Sequence, residues 1–482
     1  MSTIKFGTSG WRAIIAEEFT FENVKLVTQA IADYINSQSE ISNLKLKSVI
    51  VGYDPRFLSE EFSKLSCCVL AANGIKALRT VRDVPTPLVS YEIIRGKLAG
   101  GINFTASHNP PEYNGLKFSP AWGGPALPET TKTIEDSCKA LQNDPSKIKE
   151  MPYEEGVVKQ LIKDYDPKQI YIKRIKELVD LKVIKKAKLK IGVDLLYGAA
   201  REYLDVILKE ANCKLVVLHG NRDPLFGGHR PEPDAERLEE LTKVMKKNKL
   251  TLGLACDGDA DRFGIVDSDG TYITPNQVIS LLLYNLAKSR KWKGIAVRSV
   301  MTTHLIDAIA KKFGIEVKET AVGFKYIGDI MVNHPKEFII GGEESGGLTI
   351  RGHVPEKDGV LACLLIAELV ANEKKSIKKI LIDIEKLCGK YVTTRKNLKL
   401  KPELMGNKFK DKIQAAQPKE FAGIKVSKLD TTDGFKFILE DGSWVGMRLS
   451  GTEPLVRLYF ESNSETKIAA IQKDTERIIA NL

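Results

Sequence analysis

"GGINFTASHNPPEYNGLK", residues 100–117, starts as a short apolar run and then delivers Thr105, Ser107, His108 and Asn109 into a loop shut by Pro110 and Pro111. Ser, Asn and Pro are ordinary turn residues, and a plain turn explains most loops of this composition. The sharper reading is a serine presented for chemistry at the end of a buried strand. What the rest of the chain sets beside that loop decides between the two.

The stretch closes the first of three similar passages. Each has a short β-rich run, a helical stretch, a second short run, and a third run ending in a polar, glycine-rich loop. The first copy runs "SVIVGYD" (48–54), "NGIKALR" (73–79), "LAGGINFTASHNP" (98–110); the second runs "LKIGVDLLYG" (189–198), "NCKLVVLHG" (212–220), "LTLGLACDGDADR" (250–262). The third runs "GIAVRSV" (294–300), "FGIEVKET" (313–320), "EFIIGGEESGG" (337–347). Strands alternating with helical segments predict α/β layers with mixed, mostly parallel sheets. The final quarter differs: "FKFILEDGSWVGMRLSGTEPLVRLYFES" reads as strands joined by turns and "ETKIAAIQKDTERIIANL" as an amphipathic helix, a smaller α+β unit. The apolar stretch 360–370 reads as a buried helix. The expected units are 1–165, 166–270 and 271–385, each α/β, and 386–482, which is α+β.

Composition sets limits. At 482 residues the chain exceeds one core, and 43% hydrophobic with 28% charged residues is ordinary for a globular protein. The net charge of +11 comes from basic residues scattered in pairs such as Lys185/Lys186, which reads as a solvated surface and predicts no nucleic-acid partner. Neither a signal peptide nor a run of ~20 apolar residues is seen, so a cytoplasmic protein without membrane contact is expected. Seven cysteines without zinc-ligand spacing read as reduced core residues.

The second copy ends in "CDGDADR", with Asp257, Asp259 and Asp261 at alternate positions. Three carboxylates so close repel one another unless a cation sits among them, and oxygen-only ligands suit Mg²⁺ or Ca²⁺. An EF-hand is excluded, because its sixth position would need Gly and is Arg262, and its twelfth would need Glu and is Ser268. Ser107 gains a purpose opposite such a metal: its phosphate ester would be a transferable phosphoryl group, with His108 and Lys117 handling protons or charge nearby. In "GGEESGG", Glu343 and Ser345 offer the carboxylate and hydroxyl that sugar hydroxyls require. In "RLSGTEPLVR", Arg448, Ser450, Thr452 and Arg457 surround Gly451 as a phosphate clamp.

With "FGTSGWR", "GYDPR", "TASHNP", "DGDADR", "GEESGG" and "RLSGTEPLVR" in this order, the chain resembles the α-D-phosphohexomutases over essentially its whole length. The resemblance implies four domains around a central cleft. It makes Ser107 a phosphoserine and has Asp257, Asp259, Asp261 and the Ser107 phosphate bind Mg²⁺. Glu343 and Ser345 would grip the sugar, and Arg448, Ser450, Gly451, Thr452 and Arg457 its phosphate. Arg12, Arg262 and Lys117 would stand around the reacting phosphoryl group, with Lys325, Lys357 and Arg298 as further substrate contacts. A hexose phosphate is then the small-molecule substrate, glucose 1,6-bisphosphate the intermediate and activator, and the protein a monomer or homodimer. Phosphomannomutase-like members often carry "GEMSGH" and a histidine before the lysine of the third domain; here Glu344, Gly347 and Phe324 stand in those places, closer to the phosphoglucomutase branch. The expected activity is interconversion of glucose 1-phosphate and glucose 6-phosphate. The alternatives are a phosphomannomutase or dual-specificity enzyme, a phosphoglucosamine mutase, a Mg²⁺ phosphatase, and a nucleic-acid-binding protein on the same scaffold.

Overall fold

A computed structural model describes residues 4–7, 9–38, 47–401, 404, 406–449 and 455–482. Its first sheet contains β1 (Trp11–Ile14), β2 (Ser48–Tyr53), β3 (Lys76–Thr80), β4 (Gly100–Phe104), β5 (Tyr113–Pro120) and β6 (Ile162–Tyr165), in the order β1-β5-β4-β2-β3-β6. The second contains β7 (Lys190–Asp194), β8 (Lys214–Leu218), β9 (Leu252–Cys256), β10 (Phe263–Asp267) and β11 (Tyr272–Ile273), in the order β11-β10-β9-β7-β8. The third contains β12 (Ile295–Ser299), β13 (Glu316–Thr320), β14 (Phe338–Glu343) and β15 (Gly347–Ile350), in the order β13-β12-β14-β15.

The threefold pattern of the sequence is a threefold topology. In each sheet one strand (β2, β7, β12) is flanked in parallel by the next two strands of the chain, one on either side. The third strand of each set (β4, β9, β14) then turns back into an antiparallel neighbour. Such central strands are covered by helices on both faces, which is why they read as unbroken apolar runs such as "SVIVGY". The turn after each third strand is the polar loop, so the same topological point recurs at 105–112, 257–262 and 344–346.

The fourth sheet is antiparallel throughout: β16 (Val392–Lys399), β17 (Glu420–Phe421), β18 (Ile424–Asp430), β19 (Phe435–Leu439), β20 (Trp444–Leu449) and β21 (Leu455–Ser462), in the order β16-β21-β20-β19-β18-β17. The helix Glu465–Ala480 closes it.

The helix Gly359–Glu373 is buried from Gly359 to Ala371 and apolar on all sides but for Glu368, which accepts from Arg290 and the Asp180 N–H. It packs against β9, β10 and β15, tying the second and third units together. A helix without a polar face belongs in a core. No described helix is long and apolar enough to cross a membrane. One continuous apolar core runs through the second and third units and reaches the first at Ile50 and Leu88. The fourth unit has its own core and meets the third through a small patch of Val300, Met301, Trp444 and Tyr459. All seven cysteines are free thiols and six are buried.

Candidate active site

The Ser107 loop is held open from behind. Ser107 has φ of +51°, a left-handed conformation that costs energy for a residue with a side chain. Its N–H donates to Thr105 Oγ1 (2.8 Å), and that hydroxyl donates to Asp54 Oδ2 (2.6 Å). The buried Arg56 guanidinium donates to the carbonyls of Ser107 (2.7 Å), Asn109 (2.6 Å), Pro110 (2.7 Å) and Tyr113 (2.9 Å), and through Nε to Asp54 (3.1 Å). All five N–H donors of the side chain are thereby used. The prolines alone do not fix this turn; Arg56 ties its carbonyls to one point. Outside the turn, Arg12 Nη1 donates to Asn109 Oδ1 (2.7 Å).

Ser107 Oγ donates to Asp257 Oδ2 (2.7 Å), which joins the first and second loops. The carboxylates of Asp257, Asp259 and Asp261 are buried and offer oxygens within 4.8 Å of one another. Asp259 Oδ2 accepts from Thr86 Oγ1 (2.5 Å) and Lys117 Nζ (2.6 Å). Asp261 Oδ2 accepts from Lys117 Nζ (2.9 Å) and lies 3.2 Å from Lys357 Nζ. Burial and its two acidic neighbours raise the Asp257 carboxyl well above the usual range. For Asp261 burial acts in the same direction, but Lys117, Lys357 and Arg262 outweigh it and hold the carboxyl low. Burial would likewise discharge Lys117, yet Asp259 and Asp261 keep it a cation.

The arrangement fits a hard divalent cation. Asp259 Oδ1 and Asp261 Oδ1 are buried and have no hydrogen-bond partner among the described residues. Buried carboxylate oxygens left in that state are costly unless a cation takes them. The donors are oxygens without sulfur or nitrogen, the set that suits Mg²⁺ or Ca²⁺.

Around this centre, His108 Nδ1 lies 3.4 Å from Ser107 Oγ, and burial together with Arg262 and Arg12 drives its imidazole well below its ordinary pKa. Arg262 donates its backbone N–H to Asp257 Oδ1 (2.9 Å) and its Nη1 to Glu232 (3.2 Å). Glu343, at the end of β14, accepts from the Gly323 N–H (2.7 Å), and Ser345 Oγ donates to it at 3.4 Å. Burial first and Glu344 second push the Glu343 carboxyl up to about 7. Glu344 is occupied by Ser299 Oγ (2.6 Å).

Lys357 reaches Glu356 at 2.8 Å and stands 5.2 Å above the Phe324 ring. A Cβ on Gly347 would sit 2.0 Å from Lys357 Cδ, so a side chain at 347 and this Lys357 position exclude each other. Lys325 is half-buried over the ring of Tyr326 at 5.4 Å, with Glu129 of the first unit as its electrostatic neighbour. Arg298 is turned to other partners: its guanidinium pairs with Asp307 (2.7 Å) and Glu319.

In the fourth unit Arg448 and Arg457 are directly opposite on β20 and β21. Opposed residues of an antiparallel pair share a face, and two like charges there repel unless an anion joins them. Arg448 Nε donates to Asp433 (3.0 Å), whose carboxylate also accepts from Val322 N–H of the third unit (3.1 Å). Ser450, Gly451 and Thr452 lie outside the described residues. A cavity of about 460 Å³ is bordered by Glu232 and Arg262, by Glu344 to Gly346, and by Asn397 and Tyr459.

Models of the phosphoglucomutase/phosphomannomutase family match this chain four times. The alpha/beta/alpha domains I, II and III fall on residues 3–144, 169–270 and 274–387, and the C-terminal domain on 404–478. The chain belongs to the α-D-phosphohexomutases. This phosphohexomutase is 31% identical over 468 residues to a phosphoglucomutase/phosphomannomutase of Thermococcus kodakarensis, covering 96% of this chain and 95% of the relative. It is 30% identical to a phosphoglucosamine/phosphogalactosamine mutase of Sulfurisphaera tokodaii, covering 98% of each. Its fold matches the open form of parafusin, a phosphoglucomutase from Paramecium, with TM-score 0.83 and 25% identity, over all of this chain and 95% of that one.

Four residues of the phosphohexomutase site escaped the sequence reading: Asp54, Arg56, Thr86 and Glu232. Asp54 and Arg56 lay within the quoted "GYDPR", but nothing in that string says which carbonyls an arginine will collect. Thr86 and Glu232 carried no local signal.

Proposed function

We propose that the protein is a phosphoglucomutase that interconverts glucose 1-phosphate and glucose 6-phosphate through a phosphorylated Ser107 and glucose 1,6-bisphosphate. The observation that carries this is the Ser107 hydroxyl, fixed in a strained turn and aimed at a buried carboxylate cluster that has two oxygens to spare. Asp257, Asp259, Asp261 and the phosphate of Ser107 would hold Mg²⁺, which when bound supplies positive charge to the transferring phosphoryl group. In the forward half-reaction the serine Oγ–P bond breaks and a new O–P bond forms at the sugar hydroxyl. The hydroxyl's proton ends on Ser107 Oγ, where Asp257 accepts the resulting hydrogen bond.

Lys117 and Lys357, kept charged by acidic neighbours, balance charge beside the phosphoryl group, and Arg12 and Arg262 stand on its outer side. His108 is close enough to Ser107 Oγ to pass the proton. Glu343 and Ser345 take the sugar hydroxyls, and Arg448 and Arg457, with the loop between them, take the phosphate that is not reacting. After the first transfer the bisphosphate turns end for end and returns its other phosphate to the serine. Arg298, its guanidinium steadied by Asp307 and Glu319, is a further substrate contact in this reading, as are Lys325 and Lys357. The units 1–165, 166–270, 271–385 and 386–482, the cytoplasmic location and the monomer-or-homodimer state remain part of the same reading.

Glucose is favoured over mannose because Lys357 crosses the space above Gly347 and stacks on Phe324, a packing that "GEMSGH" with its terminal histidine would exclude. Rates on glucose, mannose and glucosamine 1-phosphates, measured side by side with Mg²⁺ and bisphosphate, test the assignment. Glucose 1-phosphate should be turned over fastest. A faster rate on glucosamine 1-phosphate would move the protein to that branch, and release of inorganic phosphate in place of isomerised sugar would make it a phosphatase.

A further inference from the structure

One cation on the wall of the cavity has no place in the scheme above. Strand β16 pairs with β21 so that Arg395 is opposite Tyr459 and Asn397 opposite Arg457, while Arg457 is opposite Arg448 on β20. Opposed residues, and residues two apart along a strand, share a face. Arg395, Asn397, Tyr459, Arg457 and Arg448 therefore stand together on one face of the fourth sheet. That face meets the cavity, which Arg395, Asn397 and Tyr459 border from one side and Arg262, Glu344 and Ser345 from the other.

The Arg395 guanidinium lies 5.9 Å from the centroid of the Tyr459 ring, which steadies the cation and leaves its N–H donors for a ligand. Among the described residues no carboxylate pairs with it, whereas Arg448 is bonded to Asp433. An arginine on an edge strand often serves only to keep that edge from pairing with another chain. Here Asn276 Nδ2 of the third unit donates to Thr393 Oγ1 (3.2 Å) beside the same cavity, so this part of β16 faces the third unit.

We propose that Arg395 is a third phosphate-binding arginine of this site, contacting the non-reacting phosphate of the hexose bisphosphate from the β16 side while Arg448 and Arg457 hold it from the other. Arg395 and Arg457 are diagonal neighbours across β16 and β21, about 7–8 Å apart, which the long arginine side chains span to a common phosphate. Three guanidiniums on one face allow a phosphate to be passed between contacts as the bisphosphate turns, without being released to solvent. The inference rests on the mutase reading, and its test separates the two.

The experiment compares the parent protein, Arg395→Ala, Arg395→Lys, Arg395→Gln and Arg457→Ala, all with Mg²⁺. It reads kcat and KM for glucose 1-phosphate and Kd for glucose 1,6-bisphosphate. Arg395→Ala should raise KM and Kd by about tenfold, the loss expected for one charge-assisted contact, with kcat within about threefold. Arg395→Lys should recover most of the affinity, Arg395→Gln little. If both constants stay at the parent's values in Arg395→Ala while Arg457→Ala raises them, Arg395 is only an edge charge and the inference falls with the mutase reading intact. If the parent turns over no hexose phosphate, the mutase reading fails and takes the inference with it.

Discussion

At Ser107 the aspartates and lysines of the cation cage are buried and bonded across boundaries between units, whereas at the clamp the arginines are partly exposed on two strands of a unit with its own core. Asp257, Asp259, Asp261, Lys117 and Lys357 are all nearly solvent-free, and the ion pairs among them join all of the first three units. Arg448 and Arg457 keep part of their surface in water, and the fourth unit meets the third through a small apolar patch and buried polar bonds such as those of Glu461 with Thr303 and of Lys436 with the Val300 carbonyl. Burial strengthens electrostatics and fixes geometry, as a transferring phosphoryl group requires. Partial exposure weakens each contact, as a phosphate that must let go and rebind requires. Breaking the two ends should therefore give different symptoms.

The largest losses belong at the buried end. Ser107→Ala removes the atom that carries the phosphoryl group, and Asp259→Asn removes one charge of three from the cation cage. Each should lower mutase kcat by more than about a thousandfold at any Mg²⁺ concentration, read in a coupled glucose 6-phosphate assay. Residual turnover near the parent's in either variant would contradict the division of labour.

Arg56→Ala should fail first as a structure. It strips four carbonyls of their donor and leaves Asp54 buried without its cation, at a cost of about 3–5 kcal/mol in denaturant unfolding. An unfolding midpoint close to the parent's would mean that the Ser107 turn holds itself. Arg457→Ala, at the exposed end, should instead fold normally and raise KM about ten- to a hundredfold. It should also need added glucose 1,6-bisphosphate to keep turning over, because escape of the intermediate leaves Ser107 unphosphorylated. A parent-like KM and bisphosphate requirement would remove Arg457 from the clamp.

The smallest effect is one of pH. Burial raises the Glu343 carboxyl to about 7, so its native state favours the protonated form. Stability from this residue is present below the ordinary glutamic acid pKa and is lost as pH rises through about 7. Relative to Glu343→Gln, the parent should lose on the order of 2 kcal/mol of unfolding free energy between pH 5 and pH 8. A constant difference across that range would mean that Lys357 and Arg262 keep Glu343 ionised throughout.

Much of this was legible beforehand because buried parallel strands announce themselves as apolar runs and because carboxylates at alternate positions leave few explanations. The three loops after β4, β9 and β14 could be placed at equivalent points from the sequence rhythm alone. Arg56 could not be found that way, since its role lies in carbonyls that converge only once residues 107–113 have turned. The pairing of Arg298 with Asp307 and Glu319 was equally out of reach, since those carboxylates arrive from elsewhere in the fold. Gly347 looked like a variable position in a motif, and only the neighbouring stem of Lys357 gives it a physical meaning.

The central claim is that Ser107 donates its phosphoryl group to a sugar hydroxyl and receives one back. Protein labelled with isotopic phosphate at Ser107 can be mixed in single turnover with excess glucose 1-phosphate and Mg²⁺, and the label followed by mass spectrometry in the protein, the sugar phosphates and inorganic phosphate. The account predicts that label leaves the serine and appears in glucose 1,6-bisphosphate and then glucose 6-phosphate, with the protein rephosphorylated by unlabelled phosphate. Label that stays on Ser107 while sugar is isomerised, or that appears as inorganic phosphate, would contradict it.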